Sequence, residues 1–162
     1  MTNKTQTLYP LVFNAVADHL IRPGTDHRIK AALYRIHVQR YPITKVIDKM
    51  KLSKSTLYKY ESAFDDEISY YRSFFKTYNT QGKESAYQLI FDKKCSRKNT
   101  DENLKVALND IFIKKISKGT VIKKYGISRS TLYRQIKSIN DELEYLKKVR
   151  KSISISKSHK SL

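Results

Sequence analysis

Residues 45–60, KVIDKMKLSKSTLYKY, and residues 120–135, TVIKKYGISRSTLYRQ, align without a gap at an offset of 75. A self-match of this length marks a repeated supersecondary unit, so the two strings have to be read as one design used twice. Upstream at the same offset, TDHRIKAALYRI from Thr25 pairs with TDENLKVALNDI from Thr100. Downstream, Asp66/Asp141, Glu67/Glu142 and Tyr70/Tyr145 continue the agreement. A fainter likeness, YPLVF from Tyr9 against YQLIF from Tyr87, needs a three-residue shift and marks the expected start of each unit.

Within each unit the apolar period is helical. Ile29, Ala32, Leu33 and Ile36, and likewise Leu104, Ala107, Leu108 and Ile111, form stripes at i, i+3, i+4, i+7 spacing. Thr25 and Thr100 stand where N-caps belong, with Asp26 and Asp101 next, where a carboxylate favours the helix dipole. First helices are therefore expected over 26–41 and 101–117, stopped by Pro42 and Gly119. Second helices follow at about 44–51 and 120–125, and carry Val46-Ile47 and Val121-Ile122. The turns Lys51-Leu52-Ser53 and Gly126-Ile127-Ser128 each supply an apolar plug and a serine cap for a third helix. Asp65 and Asn140, each followed by acids, read as fresh caps for a fourth helix. The heptad spacing of Leu132, Ile136, Ile139, Leu143 and Leu146 would instead carry one long helix through that point; the capping signal favours the break.

The fold class expected is all-α, a tandem duplication of a three- or four-helix helix-turn-helix unit. Its parts are residues 1–79 (core 25–78), residues 80–150 (core 100–149) and a disordered basic tail, 151–162, in which Ser, Ile and Lys alternate without an acid.

Thirty-three Lys and Arg stand against 15 Asp and Glu, a formal charge of +18, which calls for a polyanionic partner. Spanning a membrane takes a run of about 18 apolar residues, and the stretch 8–21 is interrupted by Pro10, Asn14, Asp18 and His19. The chain does not open with a basic stretch and an apolar core, so the expectation is a cytoplasmic, nucleoid-associated protein. Cys95 is a single cysteine, and His19, His27, His37 and His159 have no zinc-ligand spacing, so no disulfide, metal or cofactor is expected. Adjacent acids on a helix point apart. Asp66-Glu67 and Asp141-Glu142 therefore read as dipole and surface charges, and no catalytic residue is expected.

A helix-turn-helix holds its last helix at the surface, where the first residues can reach base edges. Base contacts are expected from Lys54, Ser55, Lys59, Arg129, Ser130 and Arg134. Phosphate contacts are expected from Thr56, Tyr58, Thr131, Tyr133 and Lys151. Leu57, Leu132, Val46, Val121, Ile47 and Ile122 belong to the core; His37, opposite Phe112 in the alignment, indicates a partly apolar slot.

The string GISRSTLYRQI from Gly126 resembles the helix-turn-helix of Hin-type DNA invertases and resolvases, and is similar to that of many transposases. The resemblance implies that Ser130 and Arg134 read bases in the major groove. The first unit departs from it, with Lys59 in place of the arginine and Met50-Lys51-Leu52 in place of the aromatic-Gly-Ile. A recombinase catalytic domain is not among these residues, so the likeness implies DNA reading without strand cleavage. The expected partner is double-stranded DNA, and the expected role is a transcriptional regulator whose two recognition helices engage adjacent half-sites. An accessory factor for transposition, replication, partition or phage packaging is the alternative. The helices after each reader could also support a homodimer, through Phe64, Ile68, Tyr71, Phe75 and Tyr78 or Ile139, Leu143 and Leu146.

Overall fold

A computed structural model of the protein describes residues 8–95 and 102–159, with side chains as far as residue 155. The expected caps Thr100 and Asp101 lie outside the described residues. Eight helices and no strand are found among those described: α1 Leu8–Leu20, α2 His27–His37, α3 Ile43–Met50, α4 Lys54–Gln81, α5 Lys83–Lys94, α6 Glu102–Phe112, α7 Lys118–Tyr125 and α8 Arg129–His159. The fold is all-α, as the periodicity predicts. The helices of each pair α2/α6 and α3/α7 begin and end 75 residues apart, and α4 and α8 begin 75 apart.

The residues group into two compact units. One holds the described residues up to Tyr70 together with those from Tyr145 on; the other is Tyr71–Glu144. The boundaries fall inside α4 and α8, so the division differs from the consecutive 1–79 and 80–150 read from the sequence. In the first unit, Val12, Phe13, Val16 and Ala17 of α1 are buried, as are Ile29, Ala32 and Leu33 of α2, Val46 of α3, and Leu57, Phe64 and Ile68 of α4. In the second, Ala86, Ile90 and Phe91 of α5 are buried, with Leu104, Ala107 and Leu108 of α6, Val121 of α7, and Leu132 and Ile139 of α8.

Three expectations about helix ends are corrected. The cap of α2 is Asp26 and not Thr25: its carboxylate accepts from the Arg28 backbone N–H at 2.9 Å and from the Arg28 guanidinium at 2.7 Å. Those side-chain and backbone bonds hold the carboxyl at about 2. Next, α2 and α6 stop at His37 and Phe112, ahead of Pro42 and Gly119. What closes them is a left-handed residue, Arg40 (φ 64°) in one and Lys115 (φ 59°) in the other. Around these, the N–H of Tyr41 returns to the Arg35 carbonyl at 2.9 Å and that of Ile116 to the Asp110 carbonyl at 3.0 Å. Those bonds satisfy terminal carbonyls that helix ends leave open. Pro42 and Ser117 then cap α3 and α7, and Gly119 lies in the first turn of α7.

The third correction concerns the long helices. Asp65 and Asn140 sit inside α4 and α8, not at new starts. An N-cap contributes about 1 kcal/mol, whereas the buried stripes Leu57, Phe64, Ile68 and Tyr71 of α4 and Leu132, Ile136, Ile139 and Leu146 of α8 run straight through the two positions. Burying one such side chain contributes about 1.5–3 kcal/mol, so continuity wins. Asp65 accepts a hydrogen bond from the Tyr9 hydroxyl instead, at 2.8 Å. The same continuity takes α8 to His159, so residues 151–159 are helical where disorder is expected from composition. The hydroxyls of Ser152 and Ser154 donate to the Lys148 and Arg150 carbonyls four residues back (3.0 and 3.2 Å), which keeps them from competing with the helix.

Candidate nucleic-acid interface

The surface of interest begins with a backbone turn. After α3 the chain passes through Lys51 (φ 54°), and after α7 through Gly126 (φ 62°), both left-handed. Leu52 and Ile127 then fold inward, each 9 % exposed, as the plug reading expects. Ser53 and Ser128 open the next helix: their carbonyls accept from the Leu57 and Leu132 N–H groups at 3.0 Å in both cases. Ser128 Oγ also accepts from the Thr131 N–H at 3.2 Å.

This turn leaves one face of each following helix to solvent. On α4 the side chains of Lys54, Ser55, Thr56, Tyr58 and Lys59 are exposed. On α8 those of Arg129, Ser130, Tyr133 and Arg134 are exposed, while Leu57 and Leu132 on the opposite face are fully buried. Thr131 differs from its counterpart Thr56: it is half-buried, and its hydroxyl accepts from Ser128 Oγ at 2.8 Å. Ser55 Oγ lies 3.1 Å from Ser53 Oγ, and Ser130 Oγ lies 3.4 Å from Ser128 Oγ. Lys151 is also exposed, and lies on α8 22 positions beyond Arg129. Ile47 and Ile122, expected in the core, are half-buried.

The exposed rings carry cations. Lys54 Nζ lies 6.0 Å from the Tyr58 ring centroid, and Arg129 Cζ lies 5.8 Å from that of Tyr133. A second cation, Lys118 Nζ from the first turn of α7, stands 4.9 Å from the same Tyr133 ring. Nothing in its local sequence marks Lys118 except a basic residue opening the second helix.

Each turn is braced from below, by different chemistry. In the first unit Arg28 Nη1 donates to the carbonyl of Met50, the last residue of α3, at 3.1 Å. In the second, the hydroxyl of Tyr125, the last residue of α7, donates to Asp110 at 2.6 Å. Asp110 is wholly covered, but by the partly exposed chains of Lys114 (3.0 Å) and Lys124 (3.4 Å), one side-chain layer from water. The Tyr125 hydrogen bond, then Lys114, hold its carboxyl at about 2. This brace is invisible in the sequence because Arg35 stands at the aligned position.

The acid pairs separate as adjacent helical residues must. Asp66 and Asp141 are exposed, whereas Glu67 and Glu142 are buried, which corrects the surface role expected of the two glutamates. Burial pushes the Glu142 carboxyl up, but Lys93 at 2.8 Å and Lys94 at 3.0 Å outweigh it and hold it below the usual range. In the first unit, His37, Glu61 and Asp65 place ligand-type atoms within 4.8 Å of one another. The His37 ring stacks on Phe64 (4.4 Å) and Tyr9 (5.3 Å), and burial lowers its pKa. The slot is partly apolar, as expected, with Asp65 3.9 Å from His37 Nδ1, and Phe112 occupies the aligned place in the second unit, 6.4 Å from Tyr87.

Residues 93–160 match the family model described as the Mga helix-turn-helix domain. The matched stretch contains α6, α7, the Gly126 turn and α8. It supports a DNA-binding helix-turn-helix at this place in the chain, and does not carry the Hin-type likeness. No curated protein matches the chain. No solved structure matches it either.

Proposed function

We propose that this chain is a sequence-specific double-stranded DNA-binding protein, a transcriptional regulator in which two copies of one helix-turn-helix unit read adjacent half-sites. The observation that carries the reading is the repeated turn. Left-handed residues at 51 and 126 and buried plugs at 52 and 127 precede exposed faces with Ser-Thr-Leu-Tyr and a basic residue, in a chain of charge +18. Two helices packed only for stability need no such matched polar face. Lys54, Ser55, Lys59, Arg129, Ser130 and Arg134 are assigned to bases, and Thr56, Tyr58, Tyr133 and Lys151 to phosphates; the bonded Thr131 hydroxyl makes it the weakest of the phosphate assignments. Phe64, Ile68, Ile139 and Leu146 are already buried within one chain, which favours a single polypeptide over a homodimer as the reading unit. Selection from random duplexes followed by footprinting tests the proposal. Two readers on adjacent half-sites should protect about two helical turns, roughly 20 bp. Protection of one half-site alone, or binding without sequence preference, would overturn it.

A further inference from the structure

We infer that Lys118, Tyr133 and Arg129 form a clamp for a DNA backbone phosphate, and that this clamp makes the second helix-turn-helix the stronger anchor of the two. The inference rests on the DNA-binding reading above and assigns a role to a residue on α7, outside the reader helix. Two cations stand over one exposed ring, at 4.9 Å for Lys118 and 5.8 Å for Arg129, and the ring itself is 43 % exposed. Like charges gathered at one ring repel each other, and an anion seated between them relieves that repulsion. Arg129, Ser130 and Tyr133 line a shallow open depression there. The Tyr133 quadrupole holds the two flexible cations near the surface before any ligand arrives, which lowers the ordering cost of binding. Arg129 thereby moves from base reader to phosphate ligand.

The first unit has the same backbone without the clamp. At the position aligned with Lys118 stands Ile43, so only Lys54 reaches the equivalent ring, at 6.0 Å. The surrounding charge differs in the same direction. Residues 118–137 carry six Lys or Arg and no acid, whereas the aligned residues 43–62 carry five with Asp48 and Glu61. Phosphate neutralisation governs non-sequence-specific affinity and its salt dependence, so the second unit should contribute more of both.

The test is fluorescence anisotropy of the full chain on a random-sequence duplex and on its selected site, over a salt series from about 50 to 200 mM. Lys118→Ile, which copies the first unit, should weaken both duplexes by the same factor and reduce the log–log salt slope by about 0.9. Lys118→Arg should restore the slope, and Ile43→Lys should steepen it. Arg129→Ala should also act equally on both duplexes. An unchanged slope in Lys118→Ile, or a loss in Arg129→Ala confined to the selected site, overturns the clamp while leaving DNA binding in place. A wild-type chain that binds neither duplex overturns the DNA-binding reading and the clamp with it.

Discussion

Arg134 and Lys59 occupy the same place on two helices that begin 75 residues apart, and both side chains reach solvent. They are not equivalent donors. Guanidinium presents a planar fork that fits the O6 and N7 acceptors of guanine together, whereas an ammonium is a point charge. Arg134→Ala should therefore cost about 1–3 kcal/mol on the preferred site and relax preference at one base pair. Lys59→Ala should cost less and relax little, in the same competition measurement. Weakening by Arg134→Ala that is uniform across sequences would reassign the residue to a phosphate. His37 supports a prediction of another kind. Burial lowers its pKa, Asp65 opposes that and Arg40 adds to it, so the folded state holds the proton less tightly than the unfolded chain. Stability is then complete above the ordinary value of 6.5 and falls as pH drops from there through the lower folded value. Glu61 works the other way, since burial and Asp65 raise its carboxyl. His37→Phe, which installs the aligned Phe112 side chain, should lose less melting temperature than wild type between about pH 8 and pH 5.5. Equal losses would place the acid sensitivity elsewhere.

At the scale of elements, the sequence makes legible whatever side-chain chemistry decides locally. The stripe Ile29, Ala32 and Leu33, the plugs Leu52 and Ile127 and the serines after them can be read there, because burial and capping act on those residues themselves. The ends of α2 and α6 cannot. They close on Arg40 and Lys115, residue types that give no signal of left-handed backbone. The continuity of α4 and α8 is hidden for a related reason: a cap at Asp65 is a local signal, and the buried stripe that overrides it depends on partners from other helices. The exposed polar faces after the two turns are legible in both units, but the place of Lys118 is not, because its meeting with Tyr133 is made by the turn and not by adjacency. The left-handed turn gives a stability prediction. A methyl group added at Gly126 would meet open space, so Gly126→Ala should cost the backbone strain, about 1 kcal/mol, less what alanine gains by restricting the unfolded chain. Lys51→Gly relieves the same strain in the first unit and frees the unfolded chain, so its gain is reduced by the same effect and should be comparable in size to that cost. Thermal unfolding of both variants measures it; a Gly126→Ala protein as stable as wild type would mean that the turn tolerates a side chain without strain.

At the scale of the whole molecule, two readers joined in one polypeptide, as proposed, would change the energetics of both. Once one is docked, the other is held near its half-site at a millimolar effective concentration, which can strengthen binding by about 10² to 10⁴ without a new contact. Losing either reader should then cost far more than the hydrogen bonds removed. The variants to compare are Ser55→Ala with Lys59→Ala, and Ser130→Ala with Arg134→Ala. All four side chains are exposed, so circular dichroism should show both proteins folded as wild type. Two-reader binding expects each pair to lose most of its affinity for the selected site at fixed salt. The clamp adds an asymmetry, because the second pair leaves Lys118 and Arg129 in place. It should keep most of its affinity for random duplex, while its affinity for the selected site falls toward that same level. If the first pair bound the selected site like wild type, the N-terminal unit would be a copy that no longer reads DNA. The buried stripe of α4 would then be its remaining contribution, and a single helix-turn-helix would have to account for all of the specificity.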